Sequence, residues 1–362
     1  MREIIEQVCK AFCIHGSLQS YRELKQGNIN HTYKVDFRRE DGSDKSYIVQ
    51  RINTEVFRNP EQVMENIDRI TEHIRSHYPT RPVLHFHHTA DRKVYYYRGK
   101  EFWRLFTYFP SKSYDTTDDL EIVGNTGRIF GEFQMMLGDF NASLLYTTIP
   151  DFHDTTRRYD TLMAHVQDDP LNRVQEIWPE LEWLVSVRHK ACLLTEMGRR
   201  GELPLRVTHN DTKTNNVLFQ PEGKDAIVVI DLDTVMPGLV GHDFGDAIRF
   251  AANKVAEDFP ESDKAGLNME IFRAFSTGFL SQTAATLTKN ELNTLALSCL
   301  SMTCELATRF MDDYITGDTY FKTTHPGHNL ERTRCQVALA QDIDRHLDEM
   351  DRIVQDCARL YR

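Results

Sequence analysis

Beyond Pro110 this chain reads as a run of long helical patterns, broken once by a short strand-rich island between Leu205 and Asp233. The island reads Val207-Thr-His209-Asn210-Asp211-Thr-Lys-Thr-Asn215-Asn216-Val-Leu-Phe219. It turns at Pro221-Glu-Gly223 and continues as an apolar strand, Ala226 to Ile230, into Asp231-Leu232-Asp233. The spacing H-x-D-x-x-x-x-N sets a carboxylate on a loop and an amide oxygen a few residues later. The returning strand then delivers a second carboxylate beside them. Single His, Asp and Asn residues in loops mostly cap helices or close turns. The ordered set, followed by two strands and an Asp at a strand end, is far rarer.

The island sits in a chain of two unlike parts. A first helix, Glu3 to Phe12, precedes a strand-rich stretch: Tyr33 to Phe37, a turn at Asp41-Gly42-Ser43, then Ser46 to Ile52, a strong hairpin signal. Pro60 to Arg75 is helical, with Val63, Ile67, Ile70 and Ile74 on one face. Further strands are expected at Val83 to His88, Val94 to Tyr97 and Phe102 to Phe109, where Pro110 ends the run. Helices then follow at Leu120 to Phe140, Trp178 to Met197, Met269 to Ser281, Glu291 to Tyr314 and Glu331 to Leu360. Gly127 and Gly131 fit close helix packing. The expected class is α+β and bilobal. A small β-rich N-terminal lobe (1–109) ends in a connecting strand, and a large, mostly helical C-terminal lobe (110–362) carries the island.

Charge and cysteine usage remove several function classes. Lys and Arg number 43 against 54 Asp and Glu, a net charge of −11, which argues against non-specific nucleic-acid binding. The first residues, MREIIEQVCKAFCIHG, lack the apolar core of a signal peptide. Leu292 to Phe310 is interrupted by Asn293, Thr294, Ser298, Ser301 and Glu305, and reads as a buried helix rather than a membrane span. The 7 cysteines include no C-x-x-C, and Cys9 and Cys13, at i and i+4, read as core thiols of one helix face. A reducing cytoplasm is the expected compartment. His73, His77, His85, His87 and His88 lack a Cys or Asp nearby to complete a metal shell, and read as a surface patch.

The island's residue types are those that phosphoryl transfer requires. A carboxylate takes the acceptor hydroxyl's proton, and an Asn and an Asp hold Mg²⁺ against ATP. Asp243-Phe244-Gly245 spells the tripeptide that carries the metal in protein kinases. It lies beyond the strand end, however, and leads into the helical Asp246-Ala-Ile-Arg-Phe250. The metal carboxylate should emerge from the strand that pairs with the catalytic-loop strand, which is Asp231. Asp243 and Asp246 are expected to cap that helix and brace the loop.

With those residues in place, the chain resembles the aminoglycoside phosphotransferase/choline kinase branch of the kinase-like fold, through His209-Asn-Asp211, Asn216, Ile230-Asp231-Leu-Asp233 and Asp243-x-Gly245-Asp246. Within that branch it is similar to the N-acetylhexosamine 1-kinases over nearly its whole length. That similarity runs through Gly27-Asn-Ile-Asn-His-Thr-Tyr33, Phe152-His-Asp-Thr155, Leu205 to Lys213, Ile230 to Gly238, Arg309-Phe, Gly317-Asp318, Tyr320-Phe321 and His328 to Arg334. The resemblance implies Asp211 as general base and Asn216 and Asp231 as Mg²⁺ ligands. It implies Gly27, Asn28, Asn30, Gln50, Thr107, Tyr108 and Phe109 around ATP. It implies His31, Asp211, Thr234, Phe250, Arg309 and Tyr320 around the sugar, whose anomeric hydroxyl would be phosphorylated. An arginine in an apolar helix, as at Arg309, is costly unless paired.

Two positions depart from the kinase pattern. The phosphate loop has one glycine, Gly27, and the strand expected to supply a phosphate-binding lysine reads Tyr47-Ile-Val-Gln50-Arg51-Ile52. Alternation sends Gln50 and Arg51 to opposite faces, so only one can point at ATP. Register with the family favours Gln50, whereas charge favours Arg51. The matching helix carboxylate is Glu61 or Glu65. The alternatives are a kinase of an amino alcohol or aminoglycoside hydroxyl, or a nucleotide-binding pseudokinase without turnover. Protein kinases carry an Arg before the catalytic Asp, where it can pair with an activation-loop phosphate. Here that position is Asn210, and no A-P-E segment follows Asp231. The chain is therefore expected to work without a phosphorylation switch. Purified, verifiably unphosphorylated protein that stayed inactive until treated with another kinase would contradict this.

Overall fold

The computed structural model describes residues 1–24, 30–55 and 57–362. The N-terminal lobe is an antiparallel five-stranded sheet with a helix on each side. Helix α1 (Arg2–Ala11) leads into strands β1 (Ser17–Leu24), β2 (His31–Arg38) and β3 (Asp44–Ile52), then helix α2 (Pro60–His77), then β4 (Tyr96–Arg98) and β5 (Glu101–Thr107). The strand order is β1-β2-β3-β5-β4.

Alternation decides what each sheet face does. Tyr33, Val35, Phe37, Tyr47, Val49, Trp103 and Leu105 turn to one side and bury against Ile5, Val8, Cys9 and Phe12 of α1. Ile52 and Phe102 turn to the other side and join Val63, Ile67, Ile70 and Ile74 of α2. That second face also carries Thr32, Gln50 and Arg104, which the register aligns across β2, β3 and β5. The D-G turn closes the β2–β3 hairpin as expected, with Gly42 at φ 82°.

The C-terminal lobe contains α3 (Leu120–Met136), α4 (Thr155–Asp168), α5 (Trp178–Ala191), α6 (Leu193–Arg199), α7 (Val240–Ala251), α8 (Met269–Thr283), α9 (Lys289–Thr316) and α10 (His328–Tyr361). The island forms β6 (Arg206–Thr208), β7 (Val217–Phe219), β8 (Ala226–Val229) and β9 (Met236–Gly238), paired β6 with β9 and β7 with β8. Helix α9 is buried along most of its length. It starts at a capping box between Thr288 and Glu291 and stops at Gly317, φ 110°. Among the described residues, no helix is long and apolar enough to cross a membrane.

Several sequence expectations need correction. Strand β1 was not anticipated, because it is an edge strand in which only Leu18 is buried. Helix α4 was missed for the same reason: it buries only Thr155, Tyr159 and Leu162. Residues 83–88 form no regular strand and lie along β5 through a Phe86–Phe106 bridge and two flanking bonds, His87 N to Leu105 O and Thr107 N to His85 O. The helix expected from Trp178 to Met197 is two helices, separated at Cys192. Cys13 lies past the end of α1, exposed and at φ 56°, so it is not a core thiol, whereas Cys9 is buried. The histidines do not form one surface patch. His73 stacks on His77, with ring centroids 4.1 Å apart, and meets Asp139, while burial and neighbouring cations hold His87 down at about 3.

Close packing at Gly127 and Gly131 is confirmed. A Cβ there would lie 2.2 Å from Phe275 O and 2.5 Å from Phe279 O of α8. Gly278 answers from α8, where a Cβ would lie 2.0 Å from Gly124 O. These glycines let the two backbones touch, which no side chain permits. Gly278→Ala is expected to destabilise the fold by about 1–3 kcal/mol, the range for forcing atoms into a packed interior. A urea midpoint unchanged from wild type would contradict this packing.

Candidate active site

The catalytic loop is built on Asp243. Its carboxylate, in the first turn of α7, accepts the His209 N–H at 2.9 Å, the Asn210 N–H at 2.7 Å and Gln134 Nε2 at 2.7 Å. Burial raises this carboxyl above the ordinary range, against the opposing pull of the three donors. Helix α7 starts at Val240, so Asp243 and Asp246 brace the loop from inside the helix rather than capping it. Asp246 accepts the Thr212 N–H at 3.0 Å and pairs with buried Arg249. Held this way, Asn210 adopts a left-handed conformation at φ 64°, and its side-chain amide donates to the Thr208 and Thr234 carbonyls. Asn tolerates that region better than most residues.

His209 is fully buried, with the Phe130 and Phe133 rings edge-on to it. Its Nε2 donates to Ile230 O at 2.8 Å, and its Nδ1 accepts the Asp211 N–H at 3.3 Å. These partners assign the neutral Nε2–H tautomer. The imidazole thus joins the catalytic loop to the end of β8. Asp211 itself faces the cleft. One carboxylate oxygen meets Lys213 Nζ at 2.8 Å and the other accepts from Asn216 Nδ2 at 3.0 Å. Burial works to lower the Lys213 pKa, but the Asp211 and Asp246 charges prevail and raise it. Free lone pairs on both oxygens leave Asp211 able to accept a proton from an incoming hydroxyl.

A divalent cation fits beside it. Asn216 spends its Nδ2 on Asp211, and among the described residues neither Asn216 Oδ1 nor the Asp231 carboxylate has a hydrogen-bond partner. Asp231 lies at the cleft in a left-handed conformation, φ 58°. The protein packed around it, then the Asp233 and Asp211 charges, push its carboxyl up to about 6. Surplus negative charge around uncommitted oxygen donors suits a hard cation such as Mg²⁺.

The cleft-facing side chain of β3 is Gln50. Arg51 lies on the other face and pairs with Glu101 at 3.1 Å. Gln50 receives Arg104 Nε at 2.8 Å and donates to Thr32 Oγ1 at 2.9 Å. Arg104 was not foreseen, since nothing in the periodicity of β5 sets it apart. Its guanidinium grips Asp233 through both terminal nitrogens, with Nη2 at 3.1 Å from Oδ2, and both side chains are buried. Neither Glu61 nor Glu65 joins this cluster: Glu61 is exposed and Glu65 pairs with Arg69.

A second missed residue, His153, lies behind the catalytic loop. Its Nδ1 meets Glu305 at 2.9 Å and its Nε2 meets Asn210 O at 3.3 Å. With two acceptors it must donate from both nitrogens, and although burial works to lower its pKa, Glu305 raises it. One turn after Glu305 on α9, the Arg309 guanidinium lies 5.7 Å from the Phe152 ring, 5.6 Å from Tyr320 and 5.3 Å from Phe321, and donates to Tyr320 Oη at 3.2 Å. Asp313 fixes the segment bearing the two last rings by accepting the N–H groups of Thr319, Tyr320 and Phe321. Nearby, the buried Arg158 Nε has no hydrogen-bond partner among the described residues.

The other expected site residues divide. Thr234 stands in the site, its Oγ1 donating to His209 O at 2.6 Å. Asn30 reaches Asp233 Oδ2 at 3.1 Å. Phe250 is half-buried near the end of α7. Tyr108 donates its N–H to Ser46 O, while the Thr107 side chain meets His87, and Phe109 packs at the edge of the core. His31 is a correction. Alternation along β2 sends it to the α1 face, opposite Thr32 and Gln50, where it pairs with Glu23, so it is not brought to the cleft. Gly27 and Asn28 lie outside the described residues.

A family model described as "Phosphotransferase enzyme family" matches residues 20–279. Among solved structures, an aminoglycoside phosphotransferase from Alicyclobacillus acidocaldarius is 14% identical with a TM-score of 0.67, covering 97% of this chain and 96% of that one. A choline kinase from Cryptosporidium parvum is 12% identical with a TM-score of 0.57, covering 100% and 98%. An ethanolamine kinase from Plasmodium vivax is 11% identical with a TM-score of 0.54, covering 88% and 82%. At these identities the likeness is one of fold.

The two acidic positions predict opposite stability effects. Asp243→Ala orphans two buried backbone N–H groups, each worth roughly 1–3 kcal/mol, and should lower the melting temperature clearly. Asp231→Asn removes a crowded charge that accepts no hydrogen bond, so the ligand-free protein should melt at the same temperature or higher. Thermal unfolding of the two variants tests this, and exchanged effects would overturn the assignment of Asp243 as the brace.

Proposed function

The chain belongs to the phosphotransferase enzyme family and transfers phosphate to a hydroxyl group of a small molecule; from that premise we propose an ATP- and Mg²⁺-dependent kinase that converts an N-acetylhexosamine, N-acetylglucosamine or N-acetylgalactosamine, to its 1-phosphate. Asp211 takes the proton of the anomeric hydroxyl as the sugar oxygen attacks the γ-phosphorus and the bond to the β,γ-bridging oxygen breaks. Lys213 and Asn216 orient the Asp211 carboxylate for that transfer. Asn216 and Asp231 are the residues that would hold Mg²⁺, which when bound neutralises charge on the phosphates. Gln50 offers the cleft a neutral amide where protein kinases present a lysine.

The observation that carries the acceptor assignment is the charge of the wall beside the loop. Arg309, framed by Phe152, Tyr320 and Phe321, lies there with Arg158. The buried carboxylates behind the loop are already committed, Asp246 to Arg249 and Glu305 to His153. A choline, ethanolamine or aminoglycoside ammonium would meet cations there. A neutral sugar would meet aromatic faces for its ring and an Arg donor for an acetamido or hydroxyl oxygen. A site built to hydrogen-bond a group penalises analogues that lack it.

Incubation with ATP, Mg²⁺ and N-acetylglucosamine or N-acetylgalactosamine should consume reducing ends, with weaker turnover of the parent hexoses. Arg309→Ala should impair these sugars far more than ATP binding. Asp211→Asn should leave nucleotide binding intact and lower kcat by about 10²-fold or more, as for loss of a general base. Turnover of amino alcohols with no sugar turnover would move the enzyme to that acceptor class, and near-normal kcat in a folded Asp211→Asn variant would remove the base assignment.

A further inference from the structure

The cation that β3 lacks is supplied by β5, and its anionic partner comes from the other lobe. Protein kinases join a β3 lysine to a helix glutamate within the N-terminal lobe. Here α2 presents Met64 to that place, its Sδ 3.7 Å from Arg104 Nη1. All three guanidinium nitrogens of Arg104 are committed, Nε to Gln50 and the other two to Asp233, and the residue is 3% exposed. Asp233 lies two residues after Asp231, in the short turn (Leu232–Thr234) that Asp231 opens, and Asn30 adds a further hold on its Oδ2. On the other side of Asp231, Ile230 is tied by its carbonyl to His209 and by its N–H to Asn216 O. A left-handed non-glycine residue persists where the flanking structure fixes it, and at Asp231 these two anchors do so.

We propose that Arg104 is a positioning residue for Asp231: by gripping Asp233 from the N-terminal sheet it fixes the turn that presents the Asp231 carboxylate to Mg²⁺, and it makes no contact of its own with the nucleotide phosphates. The proposal rests on the phosphotransferase reading through the role of Asp231. It differs from the lysine arrangement in a measurable way. A phosphate-binding cation strengthens nucleotide binding with or without metal, whereas a positioning residue acts only when the metal is present.

Calorimetric titration of the full chain with ADP, in the presence and absence of Mg²⁺, separates the two. Arg104→Met and Asp233→Asn should each weaken binding of ADP with Mg²⁺ by roughly 10- to 100-fold, the usual cost of losing a group that orients a metal ligand. Metal-free ADP binding should change by less than about twofold, since no phosphate contact is lost. The double variant should be no worse than the weaker single variant, because both act through one pair. It also removes the unpaired buried charge, so it carries the test if a single variant unfolds. Arg104→Lys, which keeps the charge but loses the two-pronged grip, should fall between wild type and Arg104→Met. Equal losses with and without Mg²⁺, multiplicative losses in the double variant, or unchanged binding would each overturn the proposal. Failure of the wild-type protein to bind ADP under either condition would instead overturn the kinase reading beneath it.

Discussion

The site depends first on one buried carboxylate. Asp243 accepts the N–H groups of the two residues before Asp211, where Asn210 is left-handed and the loop satisfies neither donor in a helix or sheet. Its place at the start of α7 lets the helix dipole share the cost of its charge. Because α7 is buried in the C-terminal lobe, the catalytic loop inherits the rigidity of that lobe. Gln134 of α3 and Thr212 of the loop close the same knot, through the Asp243 side chain and its carbonyl. His209 then extends the order outward to β8, so that Asp211 and Asp231, twenty residues apart in sequence, are held by one connected set of hydrogen bonds.

Among the described residues, the N-terminal lobe reaches this set at residues 233–235. Arg104 of β5 grips Asp233, and Asn66 of α2 donates to Val235 O at 3.0 Å while also binding Tyr146 O. The sheet and its helix therefore both meet the C-terminal lobe at the turn that follows the metal carboxylate. A buried ion pair between lobes contributes little net stability compared with a well-packed apolar contact. What it supplies is geometry, since the bidentate guanidinium–carboxylate fork permits few arrangements.

Much of this was legible in the sequence because it rests on periodicity and local spacing. The alternation of β2 and β3, the D-G turn, the α2 stripe and helices α3, α8, α9 and α10 follow from repeats that a single face must bury. The loop motif named Asp211, Asn216 and Asp231 because their spacing along one hairpin is short. The missed elements bury few side chains: β1 has only Leu18 and α4 only three residues. Arg104 and His153 were illegible for another reason. Their partners, Asp233 and Glu305, lie 129 and 152 positions away in the chain, and no local pattern distinguishes a strand arginine that exits to solvent from one that enters a cleft. His31 failed through face assignment alone, since one step along β2 exchanges the cleft for the α1 side.

The account stands on which atom receives the phosphoryl group, and that atom can be observed directly. Phosphorus NMR of the product formed from N-acetylglucosamine, ATP and Mg²⁺ reports the protons on the carbon bearing the phosphate. A phosphate on the anomeric oxygen gives a doublet whose partner in a proton–phosphorus correlation is the C1 proton, which is the predicted result. Correlation to the C3 or C4 proton, coupling to the two protons of a methylene carbon, or an unphosphorylated sugar alongside a phosphorylated amino alcohol, would contradict it.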